Sequence, residues 1–257
     1  MKKVNRHILF IGLMATSFCY GIDISNYNEA VNIAGKQRMF TQRMLKDYAM
    51  VGMRNTFGNP EEDLKNVISQ FDDAQSSLIK FAKNDDTKQK IEAVNKLWAE
   101  IKKELEAEPK KEKVQDLQIK LDNLLALANE ATQAFVKESG NSSSEIVNIA
   151  GRQRMLSQRM AGLYMLQVWG VEDPQFKKKL EDSMSLFSAS LEKLEKYEKN
   201  SEDIKKILNK VKRSYRFFEM MSKSTQRFIP TLIYKKSNDI LQDMNEVTIK
   251  YTQLKTK

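Results

Sequence analysis

The chain has 257 residues, of which 30% are charged, and its formal net charge is +9 at neutral pH. Acidic and basic residues are mixed along the sequence, as on solvated helix faces, and no basic stripe with interleaved aromatic residues argues for nucleic-acid binding. With only nine glycines and four prolines, and with many Lys, Glu, Leu, Met, Gln and Ala residues, the composition favours helices.

The first 21 residues have the pattern of a secretory signal peptide. Basic residues open the chain, and the apolar run from Ile8 to Phe18 that follows them is too short to span a bilayer. We therefore predict cleavage near Gly21 and an exported protein, either periplasmic or secreted. A lipoprotein anchored at Cys19 is not expected, because a bulky phenylalanine precedes that cysteine.

Cys19 and His7 are the only cysteine and the only histidine, and both lie in the predicted signal peptide. The exported chain would therefore have no disulfide, and zinc, copper and haem sites would lack their usual ligands. Cys–His and Ser–His–Asp catalysis is excluded for the same reason. We expect no catalytic site, no cofactor and no metal, and thus a binding protein rather than an enzyme.

Beyond the signal peptide, helix-favouring segments alternate with short breaks that contain Gly, Pro, Asn or Asp. These breaks predict eight helices, at 26–55, 61–83, 87–106, 112–138, 143–169, 174–198, 202–226 and 230–255. Pro60, Pro174 and Pro230 each fall where the first turn of a helix tolerates proline. Short connections between amphipathic helices favour antiparallel neighbours, and each set of four helices is predicted to form an up-down bundle.

One phrase of sixteen residues occurs twice, at 29–44 and 145–160, with twelve identical positions and an offset of 116 residues. The register continues beyond the phrase. Phe71 then corresponds to Phe187, and a slip of one residue aligns Trp98 with Tyr215. A period of this length suits a small domain duplicated in tandem.

We therefore predict an all-α protein made of two tandem antiparallel four-helix bundles related by pseudo-twofold symmetry. The predicted limits are 1–21 for the signal peptide, 22–139 for bundle 1 and 140–257 for bundle 2. Between the bundles, Ser142 followed by Glu145 predicts a capping box at the start of the fifth helix.

The repeated phrase predicts two different faces on the first helix of each bundle. At 100° per residue, one face packs into its own bundle. Its members are Ile33, Gln37, Phe40, Met44, Tyr48 and Val51 in bundle 1, and Ile149, Gln153, Leu156, Met160, Tyr164 and Gln167 in bundle 2. The opposite face lacks the Lys and Glu of a solvated surface. It carries the candidate ligand-binding residues Gly35, Arg38, Met39, Gln42, Gly151, Arg154, Met155 and Gln158.

Glycine inside a helix costs about 1 kcal/mol relative to alanine, so a glycine at the same position twice predicts a close approach to the backbone there. If the two first helices lie side by side, Gly35 and Gly151 allow that approach, and Arg38 and Arg154 face a common space. Two buried guanidinium groups repel each other and are costly to desolvate. An anion held between them by parallel hydrogen bonds is the simplest resolution.

Other interpretations of the arginines stay open. Arg38 and Arg154 could lie on a solvated face, or they could pair with carboxylates from other helices. Arg43 lies on a flank of the phrase, where an ion pair with Asp47 one turn later would be an ordinary surface feature.

The phrase N-I-A-G-[KR]-Q-R-M-[FL]-[TS]-Q-R-M strongly resembles the signature of the PilJ-type sensor domain, the N-terminal periplasmic module of type IV pilus methyl-accepting transducers. That domain is related to the sensor modules of NarX/NarQ-type nitrate and nitrite kinases. The resemblance implies four-helix bundles that dimerise through their first helices and bind one anion there. By position, the anion-binding residues would be Arg38 with Gly35 and Arg154 with Gly151.

The phrase departs from the nitrate sensors, which read approximately G-S-L-R-M-Q-S-Y-R. Gln42 and Gln158 replace the tyrosine, and basic residues followed by glutamine replace Ser-Leu. The phrase is closer to the form found in the pilus transducers, and a resemblance to these does not imply that the ligand is nitrate. We also find no transmembrane, kinase or methyl-accepting segment after either copy.

Taken together, these features predict an exported sensory module that binds a small anion, with a nitrate- or nitrite-like oxyanion favoured. It would act through a membrane-bound sensor kinase or chemotaxis transducer. The alternative is a ligand-free helical scaffold that docks on PilJ-type transducers. Whether the bundles pair within one chain or between the chains of a homodimer stays open.

Overall fold

The computed structural model of the chain describes residues 22–222 and 229–254. The predicted signal peptide, with Cys19 and the cleavage site near Gly21, lies outside these residues, as do the predicted helix ends at 226 and 255. Across the described residues the structure has eight α-helices, one short 3₁₀ helix and no strand. None of these helices combines the length and the apolar composition that crossing a membrane requires.

The α-helices are α1 (Tyr27–Gly52), α2 (Pro60–Phe81), α3 (Asp85–Leu105), α4 (Val114–Ser139), α5 (Ser142–Val168), α6 (Phe176–Glu195), α7 (Glu202–Ser222) and α8 (Pro230–Thr252). The 3₁₀ helix, Lys111–Lys113, directly precedes α4. As predicted, Pro60 and Pro230 open helices. Pro174 does not, because a turn separates it from the first residue of α6.

Asparagines cap several helix starts. The side chains of Asn26, Asn84 and Asn141 each accept a hydrogen bond from a backbone N–H in the first turn, of α1, α3 and α5 respectively. The capping box predicted at Ser142 is therefore wrong by one residue, because Asn141 accepts the capping bond from the N–H of Ser144.

The helices pack as bundles. Helix α1 packs against α2 and α4, and α3 against α4; in the same way α5 packs against α6 and α8, and α7 against α8. Helices α1 and α4 are antiparallel, since Tyr27 bonds to Glu138 near one end and the Tyr48 hydroxyl accepts from the Lys110 N–H near the other. The all-α bundle fold is thus confirmed, while the domain limits and the pseudo-twofold symmetry stay predictions.

A stacked aromatic pair lies in each set of four helices. The rings of Phe71 and Trp98 are 4.2 Å apart, and those of Phe187 and Tyr215 are 4.5 Å apart. All four side chains are buried. Such a pair contributes about 0.5–1.5 kcal/mol beyond the burial of its area. The matching pairs agree with the sequence register, including the slip of one residue that aligned Trp98 with Tyr215.

Helices α1 and α5 make the most extensive contact between any two helices of the described chain, and they do so within one chain. They run parallel. Asn28 bonds to Ser143 near their N-terminal ends, and a Cβ on Gly52 would meet the ring of Trp169 near their C-terminal ends. Positions 116 residues apart therefore lie opposite each other along this contact, which we call the α1–α5 seam.

With the bundle on one side and the seam on the other, most residues of α1 and α5 are buried. The face predicted to pack into the bundle is buried or half-buried in both helices, apart from Gln167. That residue was placed wrongly, because it lies exposed in the last turn of α5.

Candidate functional site

Arg38 and Arg154 meet in the α1–α5 seam, where their exposed fractions are 1% and 0%. Nη2 of Arg38 lies 3.2 Å, and Nη2 of Arg154 lies 3.4 Å, from the point where a Cβ would stand on Gly35. At Gly151 the corresponding distances are 3.4 Å from Arg38 and 3.0 Å from Arg154. Both guanidinium groups therefore lie against both glycines, and a side chain at either position would press on them. The methionines predicted in the seam are also buried, Met39 and Met155.

Each guanidinium group is held by an asparagine of its own bundle. Nη1 of Arg38 donates to Oδ1 of Asn129 at 2.8 Å, and Nη1 of Arg154 donates to Oδ1 of Asn245 at 3.1 Å. Neither asparagine was among the predicted site residues. The available signal was that both lie in an Asn-Glu dipeptide repeated at the same offset of 116 residues.

Each arginine also reaches across the seam. Nη2 of Arg38 donates to the backbone oxygen of Asn148, and Nη2 of Arg154 donates to that of Asn32, each at 3.3 Å. The side chains of the two asparagines differ. Oδ1 of Asn32 accepts from Nη1 of Arg154 at 2.9 Å, whereas Oδ1 of Asn148 is buried without a hydrogen-bond partner. Asn148 of α5 thus has an unused acceptor oxygen at the site, whereas its counterpart on α1, Asn32, uses the corresponding oxygen.

No carboxylate offsets the two charges, since neither Arg38 nor Arg154 forms an ion pair within the described residues. The Nε atoms of both are buried without a hydrogen-bond partner. The pKa of each is lowered to about 9, mainly by burial, and for Arg38 the nearby charges of Arg152 and Arg154 contribute to the shift. Both therefore remain charged at neutral pH. The interpretation of these arginines as solvated surface residues is wrong, and the one that pairs them with carboxylates finds no partner among the described residues.

The two glutamines of the predicted site bond elsewhere. Nη1 of Arg159 contacts Oε1 of Gln42 at 3.3 Å and donates to Asp122 at 2.6 Å, so Gln42 belongs to a polar network between α4 and α5. Nε2 of Gln158 donates to the backbone oxygen of Ser237 on α8. The structure therefore brings together the glycines and arginines of the prediction but directs the glutamines to neighbouring helices.

The family model described as "Type IV pili methyl-accepting chemotaxis transducer N-term", PilJ, matches residues 24–124 and 135–227. The chain belongs to the PilJ family. Each match contains one copy of the repeated phrase, which confirms the resemblance inferred from sequence. No curated protein and no solved structure matches the chain.

A surface pocket of about 380 Å³ reaches the seam from one side. Arg38 of α1 and Asn129 of α4 line it, together with other residues of α4, α5 and α6, among them Met155. The pocket gives solvent a route to a guanidinium group that is otherwise enclosed. Within the described residues, no group of His, Cys, Asp or Glu side chains could hold a metal ion.

The ion pair predicted between Arg43 and Asp47 is not the main contact of Arg43. Nε of Arg43 donates to Asp63 at 2.9 Å, and Nη2 donates to the same carboxylate, whereas Asp47 is 3.9 Å away. The predicted pair is present but is the longer of the two contacts, because the packing of α2 on α1 brings Asp63 closer. Asp47 is also fully buried rather than at the surface.

A second buried charged group, which was not predicted, lies further along α1. The side chains of Lys46 and Asp47 are both 0% exposed, with Nζ 3.7 Å from Oδ1, and Nζ also donates to Asn238 at 2.7 Å. Burial raises the pKa of Asp47 well above its usual range and lowers that of Lys46 to about 8. The corresponding positions of the second PilJ match are Gly162 and Leu163, so the group has no counterpart in α5.

Proposed function

We propose that this chain is an exported sensory module, that it binds a small oxyanion between Arg38 and Arg154, and that it acts through a membrane-bound transducer or sensor kinase. The observation that supports this most directly is the pair of buried arginines without carboxylate partners. Burying an ion costs several kcal/mol even after the protein relaxes, and a neighbouring opposite charge offsets that cost.

The chemistry of the donors favours an oxyanion. Both Nε atoms are unpartnered, and a guanidinium group binds an anion most strongly through parallel N–H···O bonds to two oxygens. Nitrate, nitrite and a carboxylate all present such a pair of oxygens in one plane. The resemblance to the nitrate sensors makes nitrate and nitrite the first ions to test.

Binding rather than catalysis is part of the proposal. The groups at the seam are guanidinium, amide and backbone groups, and none of these is a general base at neutral pH. The PilJ description names the N-terminal part of a chemotaxis transducer. We therefore propose a membrane transducer or sensor kinase as the partner, and the signal-like segment at 1–21 supports export.

One observation favours a second candidate, a ligand-free helical scaffold. The arginines already donate to Asn129 and Asn245 and across the seam to the backbone of the opposite helix. In this candidate the arginines serve only to join α1 to α5, and the module works by docking on a PilJ-type transducer.

Isothermal titration calorimetry of the purified exported protein distinguishes the two candidates. We expect nitrate, nitrite or acetate to bind with a stoichiometry of one per chain. The variants Arg38→Gln and Arg154→Gln should abolish binding. Arg213→Gln, on α7 away from the seam helices, serves as the matched loss of charge and should leave binding unchanged. If no oxyanion binds, or if both seam variants bind as the wild type does, the anion proposal is wrong.

A further inference from the structure

We propose that the anion is the carboxylate of a short-chain aliphatic acid, whose hydrocarbon chain occupies the surface pocket beside Arg38. This inference rests on the proposed function, because it uses the same arginine. It adds the ligand class, which neither the repeated phrase nor the family specifies.

The pocket is longer than an inorganic oxyanion. At one end Arg38 donates to Asn129, and at the other Arg159 donates to Asp122, and all four residues line the pocket. Asp122 and Asn129 are seven residues apart on α4, which is about 10 Å at the rise of an α-helix. This length fits a chain of several carbon atoms.

Only one end of the pocket has free positive charge. Arg38 and Arg152 line the pocket, and neither forms an ion pair within the described residues. At the opposite end, Asp122 already neutralises Arg159 at 2.6 Å. A carboxylate is therefore attracted to the end at Arg38 and Arg152, where the seam begins.

Between the two ends the lining is apolar, and its members are Leu125 and Ala126 of α4, Met155 of α5 and Leu186 of α6. Leu186 is 42% exposed, so a ligand chain that covers it removes apolar surface from water. A pocket of about 380 Å³ with an apolar middle between polar ends is in the size range of small-molecule sites.

The same positions in the other half of the repeat lack this lining. At the offset of 116 residues, Gln70 replaces Leu186 and Gln242 replaces Ala126. A hydrocarbon chain bound on that side would cover the side-chain amides of Gln70 and Gln242, and these would lose their hydrogen bonds to water. The sequence difference therefore favours one ligand per chain, bound from the side of Leu186.

An α-amino acid fits less well than a simple acid. Its ammonium group would lie next to its carboxylate, near Arg38 and Arg152. The carboxylate lining the pocket, Asp122, is two helical turns away and pairs with Arg159. The ammonium group would add a third positive charge to that end, and so we restrict the ligand class to monocarboxylates.

Calorimetry with acetate, butyrate and hexanoate tests the inference on the purified exported protein. Affinity should rise roughly fourfold for each added CH₂, the equivalent of ~0.8 kcal/mol. Leu186→Gln, which introduces the residue of the other half, should flatten this dependence without weakening acetate or nitrate. Gln70→Ala is the matched control and should leave the dependence intact.

The outcomes separate the two proposals. If nitrate and acetate bind but affinity does not rise with chain length, the ligand class is wrong and the anion site stands. If hexanoate binds equally well to Arg38→Gln, its binding does not use the seam and the inference is overturned. If no anion binds, both proposals fail.

Discussion

Replacing Arg38 by methionine should make the anion-free protein more stable. The guanidinium group is buried, and the lowering of its pKa from the usual arginine value to about 9 corresponds to a penalty of roughly 5 kcal/mol on the charged form. Methionine fills much of the same volume without a charge. A charged residue that destabilises its own fold is expected where a ligand supplies the opposite charge.

The gain is smaller than the full penalty, because two hydrogen bonds disappear with the guanidinium group. Asn129 and the backbone oxygen of Asn148 lose a donor, and an unsatisfied buried polar group costs about 1–3 kcal/mol. Asn129 is only partly buried, so that water can replace the arginine there. We therefore expect Arg38→Met to raise the free energy of unfolding by about 2 kcal/mol.

Urea unfolding in a buffer free of oxyanions measures this difference. Added anion at a hundred times its Kd should then stabilise the wild type by ~2.7 kcal/mol and leave the stability of Arg38→Met unchanged. The wild type then becomes the more stable of the two proteins. Arg43→Met is the control, because it breaks the pair with Asp63 and should lower stability. If Arg38→Met instead destabilises the anion-free protein as Arg43→Met does, the arginine is a structural residue and the reasoning is refuted.

Three further predictions concern the rest of α1. Lys46→Met should lower the free energy of urea unfolding by roughly 3 kcal/mol, because it removes the cation closest to the buried Asp47 and leaves it with Arg43 at 3.9 Å. Adding Asp47→Leu should restore the stability. Because the pKa of Asp47 is raised in the folded state, the folded protein keeps this proton at a pH where the unfolded chain has released it. Wild-type stability should therefore fall as the pH rises above about 4, and Asp47→Leu should make this fall less steep. Gly52→Ala should lower stability by about 1–3 kcal/mol in thermal unfolding, because its Cβ would lie 2.2 Å from the Trp169 ring.

The contact between α1 and α5 could be predicted because the repeated phrase breaks an ordinary rule. A helix face turned away from its bundle should be polar, and here it carries Gly35, Gly151 and two arginines. Helix geometry alone then places these residues on one face, and the duplication places the two faces together. The asparagines that hold the arginines were harder to find, because nothing local to α4 or α8 indicates their partner.

Features that depend on packing between distant helices could not be predicted. Asp63 lies closer to Arg43 than Asp47 does because of how α2 lies on α1, which spacing along one helix does not reveal. Lys46 and Asp47 resemble an ordinary surface pair in sequence. They are buried because α8 covers them, as the bond from Lys46 to Asn238 shows. The pocket likewise depends on α4 and α6 both lying beside α5, since residues of all three helices line it.

The joining of both seam helices in one polypeptide affects how the module responds to dilution. A sensor that binds its ligand between two separate subunits loses the site when the subunits dissociate. Here a short connection at Gly140 keeps the halves at a local concentration in the millimolar range or above. A covalent pair is also free to diverge. Asp122 and Asn238, for example, are equivalent positions at which the two halves of the chain already differ. In a homodimer every mutation appears in both subunits.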